Sequence, residues 1–174
     1  MKSITLYFFL GALVINSAFA ERADRDKPVH LESDRATVEN TGHSNNKDRT
    51  SIFTGNVVLT QGTLIIRSDK MVVKEDEDGF QNAIAYGNLA SFRQKRDGKN
   101  EYIEGWSERM EYDSKADKVE LFKQARLRRG ADEVHGEYIS YEATTEFFQV
   151  NNGVKTNSES RVRAVIQPKK KKQN

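Results

Sequence analysis

Phe53-Thr54-Gly55-Asn56-Val57-Val58-Leu59-Thr60 alternates apolar and polar residues for most of its length, but a Gly and an amide interrupt it in the middle. Alternation with a period of two is the signature of a strand with one buried face. Similar interruptions occur in Tyr86-Gly87-Asn88-Leu89 and Leu121-Phe122-Lys123-Gln124-Ala125. Between these come segments in which a small residue precedes an acid: Leu31-Glu32-Ser33-Asp34, Ile66-Arg67-Ser68-Asp69, Trp106-Ser107-Glu108 and His135-Gly136-Glu137. From Asp34 the acid returns after 35, then 39, then 29 residues. A spacing that drifts this way argues for an irregular stack of strand pairs and against a strict solenoid.

The rest of the chain supports an all-β reading. Strands are predicted over residues 29–38, 51–60, 64–67, 70–74, 83–94, 102–112, 118–129, 134–141, 146–150 and 161–166, all of them short. The connections at 40–46, 61–62, 75–79, 97–98, 113–117 and 151–153 are rich in Gly, Asn and Asp, which supply the positive φ of tight hairpins. Consecutive strands are therefore expected to be antiparallel neighbours. Pro28 and Pro168 bracket the strand block, so the domain is predicted over 28–167. Around Gly87 one register puts Leu89 inside and Phe92 outside; a β-bulge between them would put both inside.

Residues 1–20 carry Lys2, an apolar stretch and Ala18-Phe19-Ala20, the pattern of a cleavable secretory signal. A short extension, 21–27, follows. The chain has no Cys, which rules out disulfides and thiol chemistry. Without the signal there are 27 Lys and Arg against 26 Asp and Glu, a near balance that does not suggest a nucleic-acid binder. The basic tail at 168–174 is either a solubilising end or a contact for an anionic partner. His30, His43 and His135 lack the spacing of a metal site, and no phosphate loop, dinucleotide fingerprint or nucleophile motif marks a cofactor or an enzyme.

Aromatic residues occur about once per strand: Phe53, Phe92, Trp106, Tyr112, Phe122, Tyr138, Tyr141, Phe147 and Phe148. They would fill an ordinary sandwich core or line a long apolar slot, and composition alone allows both. Three functional classes follow: a lipid carrier, a β-strand scaffold without a lipid, and an exported polysaccharide-modifying enzyme.

Three blocks sharpen the choice. They are Pro28-Val29-His30-Leu31-Glu32-Ser33-Asp34, the run from Phe53 to Thr63 (Phe-Thr-Gly-Asn-Val-Val-Leu-Thr-Gln-Gly-Thr), and Ser68-Asp69-Lys70-Met71-Val72-Val73, with Glu104-Gly105 and Met110-Glu111-Tyr112 further on. In this order they resemble the LptA (OstA-like) family of periplasmic lipopolysaccharide-transport bridge proteins. The resemblance implies an antiparallel β-jellyroll of two facing V-shaped sheets with open ends. It implies a soluble periplasmic protein that joins copies of itself head to tail and carries lipopolysaccharide by its acyl chains. The implied partners are an inner-membrane-anchored OstA-like protein (LptC) at the N-terminal edge and the periplasmic domain of the outer-membrane translocon (LptD) at the C-terminal edge. The groove lining implied in this way starts with Val29 and Leu31 on the first strand and Phe53, Val57 and Leu59 on the next. It continues through Leu64, Ile66, Met71, Phe92, Met110, Tyr112 and Leu121. The polar loop at 40–50, the acidic turn at 75–79 and the lysine tail depart from the family pattern.

Overall fold

The computed structural model describes Asp24 and residues 26–40, 49–152 and 161–168. The signal, most of the 40–50 loop, Gly153 and the lysines of the tail lie outside the described residues. Ten strands occur in chain order: β1 (Val29–Glu32), β2 (Arg35–Asn40), β3 (Arg49–Gln61), β4 (Leu64–Asp76), β5 (Gly79–Lys95), β6 (Tyr102–Asp113), β7 (Lys118–Arg129), β8 (Asp132–Glu142), β9 (Phe147–Asn151) and β10 (Arg163–Val165). All pairs are antiparallel. They form one sheet, in which β3 to β8 run side by side, β1 and β2 share the outer edge of β3, and β9 and β10 share the outer edge of β8. The all-β, open-ended fold is as predicted. The strands are not all short, however: β3 to β8 have 11 to 17 residues each. Residues 64–67 and 70–74 are two halves of one strand, whereas 29–38 divides into two.

The reason lies in the interruptions of the sequence pattern. Pairing is broken at Thr54/Val57, Arg67/Lys70, Tyr86/Ala90, Trp106/Arg109 and Phe122/Ala125, at matching heights on successive strands. Together the breaks form a crease across the sheet, and Ser33-Asp34, Ser68-Asp69, Ser107-Glu108 and the Gly or amide segments all fall on it. Bulges bend a strand and increase its twist, so a row of them folds the whole sheet. The crease is tied by acids and amides on alternate strands. Asn56 Nδ2 donates to Asp34 Oδ2 at 3.0 Å, the Asn88 backbone N–H to Asp69 Oδ2 at 3.2 Å, and Gln124 Nε2 to Glu108 Oε1 at 2.7 Å. The small residues have a part as well: Ser33 and Ser107 each donate Oγ–H to the carbonyl two residues on, at 2.9 and 2.7 Å.

Contacts between distant strands show how the sheet folds over. The turns that follow β3, β5 and β7 lie on one margin and those that follow β4, β6 and β8 on the other, as antiparallel hairpins require. Yet Tyr112 Oη, at the end of β6, donates to Gln61 Oε1 at the end of β3, 3.2 Å away. The rings of Phe92 in β5 and Tyr141 in β8 stack with centroids 6.3 Å apart. The two halves therefore face each other like the boards of a book. The crease is the spine, the two margins meet along the mouth, and the two facing layers of the jellyroll are halves of one continuous sheet. Asp24, in the 21–27 stretch, is 6% exposed and accepts from the backbone N–H and the hydroxyl of Thr63, which fixes it to the β3–β4 turn.

Candidate functional site

The inner faces of the two halves build a single apolar cluster. Val57, Leu59, Leu64, Ile66, Met71, Phe92, Met110, Tyr112 and Leu121 are each 2% exposed or less, and Val29, Leu31 and Phe53 pack against them partly buried. All twelve residues named from sequence thus converge on one interior, and their side chains fill it. Val73, Ala83, Ala85, Ala90, Ile103, Val119, Ala125, Leu127, Ile139 and Tyr141 belong to the same cluster. The small residues among them give a weak signal in a sequence, although Ala83 and Ala85 keep the period of two.

Several expectations need correction. Leu89 does not point inward: it is 39% exposed, while Phe92 is 2% exposed. The bulge in β5 leaves residues 87–89 without partners in β6, so the inward alternation resumes at Ala90. Trp106, Phe122 and Tyr138 lie on the outer face. There the guanidinium of Arg126 sits 4.5 Å above the Trp106 ring, Arg109 sits 4.3 Å above Phe122, and Phe122 meets Tyr138 at 5.2 Å between centroids. Aromatic residues on that face shield arginine stems and form cation–π contacts. Phe147, on the edge strand β9, is 61% exposed.

The mouth carries the most concentrated charge near the interior. Arg96, in the turn after β5, is 9% exposed at its side chain; its Nε and one terminal nitrogen reach Glu146 Oε1 and Oε2 at 3.0 and 2.6 Å. Glu146 belongs to the turn after β8, on the opposite margin. Lys99 Nζ shares the same carboxylate at 3.0 Å, and Arg96 also pairs with Glu101. The hydrogen bond from Arg96 holds the Glu146 carboxyl below the usual carboxylate range against the opposing effect of burial, with help from Lys99. Bonding to Glu146 likewise raises the pKa of Arg96. Inside the mouth, burial pushes the Tyr141 phenol up to about 12. Nothing in the sequence marks this contact, because its partners lie 50 residues apart in separate turns.

A separate cavity of about 360 Å³ lies at the crease near the C-terminal edge, lined by Leu89, Gln124, Arg126, His135, Glu137 and Arg163 among others. Its lining residues are mostly polar or charged, unlike those of the apolar interior. Among the described residues no group of three or more His, Cys, Asp or Glu could hold a metal ion. Among them no helix is long and apolar enough to cross a membrane.

A creased antiparallel sheet with two free edges, closed over an apolar interior and joined at its mouth, among the described residues, by side chains, defines an open-ended β-jellyroll. Within that class the chain belongs to the family described as LptA/(LptD N-terminal domain) LPS transport protein, whose model matches residues 30–147. The lipopolysaccharide export system protein LptA of Escherichia coli K12 is 36% identical over 126 residues, 71% of this chain and 64% of that relative. The match thus spans a little under two thirds of the E. coli protein. The lipopolysaccharide export system protein LptH of Pseudomonas aeruginosa is 27% identical over 180 residues, 99% of this chain and 98% of LptH. The crystal structure of P. aeruginosa LptH, described as the LptA-homologous periplasmic component of a lipopolysaccharide transport device, superposes with a TM-score of 0.73. It is 23% identical and covers 84% of this chain and 99% of LptH, a likeness of fold.

Proposed function

We propose that this chain carries lipopolysaccharide across the periplasm, holding its acyl chains between the two halves of the sheet while the sugar head stays in water. The observation that carries the reading is the convergence of the twelve residues on one apolar interior, in a chain of the lipopolysaccharide-transport family. Exposing a methylene to water costs roughly 0.8 kcal/mol, so an acyl chain of about a dozen methylenes costs about 10 kcal/mol. Unassisted passage through an aqueous compartment is then negligible. The interior is filled by its own side chains, so the halves part to admit the lipid, and the crease is where they bend. In this reading the protein is a carrier and not a catalyst, exported by the signal at 1–20. Copies join end to end, with β1 and β2 at one free edge and β9 and β10 at the other, because an added strand satisfies unpaired backbone groups. LptC at the first edge and LptD at the second are the corresponding membrane partners.

Photocrosslinking in living cells tests this. A benzophenone amino acid replaces Phe92 or Phe53 on the inner face and, as a control, Phe122 on the outer face. The expected result is an energy-dependent lipopolysaccharide adduct at Phe92 and Phe53 and none at Phe122. The filled interior favours one other reading, a β-strand scaffold without a lipid. Adducts to protein alone at all three positions, in a folded and exported protein, would replace the carrier with that scaffold.

A further inference from the structure

We infer that Arg96 and Lys99 at the mouth form a binding site for a phosphate group of the carried glycolipid, which takes the place of the Glu146 carboxylate. The inference rests on the carrier reading and adds to it how the head of the cargo is recognised. Arg96 and Glu146 stand on opposite margins of the folded sheet, so their bond must break when the halves part. Breaking it removes the two hydrogen bonds that Arg96 makes to Glu146 and leaves Arg96 with Glu101 as its carboxylate partner. An anion that arrives as the mouth opens replaces the lost bonds.

The geometry fits a phosphate. Two cations converge on one carboxylate, Arg96 through two nitrogens and Lys99 through a third bond. A phosphate monoester offers three acceptor oxygens and up to two negative charges to the same three donors, and a guanidinium fork binds carboxylate and phosphate alike. Glu146 is held in a left-handed backbone conformation, φ 55°, uncommon for a residue with a side chain. Glu101, also bonded to Arg96, lies in the same turn as Arg96 and moves with it, so it does not hold the mouth shut.

The test uses the full mature protein and two fluorescent lipids with the same acyl chains, phosphorylated lipid A and its enzymatically dephosphorylated form. The expected result is that Arg96→Gln and Lys99→Gln each weaken binding of the phosphorylated lipid, roughly tenfold for Arg96→Gln, and do not weaken binding of the dephosphorylated lipid. Glu146→Gln, which removes the competing anion, tightens binding of the phosphorylated lipid. Lys99 is 47% exposed, so Lys99→Gln remains informative where Arg96→Gln fails to fold. Equal affinity of the wild-type protein for both lipids, or equal losses for both in the variants, overturns the phosphate site while the carrier reading stands. Binding of neither lipid overturns the carrier reading itself. Inorganic phosphate is titrated alone: saturation below millimolar concentration makes free phosphate the ligand and overturns the assignment to the lipid, whereas no saturation supports it.

Discussion

Gly105 shows how closely the two halves press together. A Cβ on this residue would stand 2.3 Å from Cε1 of Phe92, its cross-strand neighbour, and 2.9 Å from Cδ1 of Leu121 in the facing half. Neither atom has room to withdraw, because Phe92 and Leu121 are 2% and 0% exposed. Gly105→Ala is therefore expected to destabilise the fold by about 1–3 kcal/mol, the usual cost of overpacking a core, as measured by urea denaturation. The same crowding means that a charge at Phe92 would unfold the protein rather than report on cargo, and that the partly buried Phe53 accepts the bulky benzophenone with less strain. At this scale the sequence is legible where alternation and size agree: Phe53, Val57 and Leu59 lie on the face that alternation gives them, and Met71 and Leu121, implied by the family resemblance, lie in the same interior. It is illegible where a bulge resets the alternation. Alternation around Gly87 puts Leu89 inside, whereas the three-dimensional register restarts the count at Ala90.

At the scale of the strand, the crease separates residues that build the fold from residues that decorate it. Gly55 has φ 80°, and a Cβ there would meet Asp34 Oδ2 at 2.3 Å. Gly55→Ala thus combines left-handed backbone strain with the loss of the Asp34–Asn56 tie. We expect it to cost about 1–3 kcal/mol. Glu108→Ala removes only the exposed bond to Gln124 and should cost under about 1 kcal/mol. Thermal denaturation of the two variants side by side checks this ranking, and an equal effect would contradict the role given to the bulge. The repeated acid and amide were visible in the sequence, but their meaning was not. A period that drifts between 29 and 39 residues reflects strands of unequal length that must all bend at one line, and only pairing reveals that line. Trp106, Phe122 and Tyr138 were misplaced for a related reason: an aromatic in a strand signals burial against something, and here that is an arginine stem on the outer face.

For the molecule as a whole, Glu146 and Tyr141 at the mouth and Glu133, bonded to Arg126 on the outer face, shape the response to pH. Glu146, through Arg96, and Glu133, through Arg126 and then His135, both have lowered pKa values in the folded state. Their contribution to stability is present above the unfolded value of about 4.3 and is lost as pH falls through the lowered folded values. Tyr141 behaves in the opposite sense. Its folded value of about 12 exceeds the unfolded value of 10, so the stability tied to its neutral form is complete below pH 10 and declines as pH rises toward 12. Stability measured by denaturant titration should be flat in between, and Glu146→Gln should remove part of the acid limb. The path of the backbone has a further consequence. Among the described residues every link between neighbouring long strands is a hairpin that stays within one or the other margin, and no stretch of main chain bridges the mouth. On the carrier reading, a glycolipid with a polymer attached to its head enters or leaves sideways, and the polymer is threaded through none of the described loops. The length of what trails outside then places no limit on what is held within.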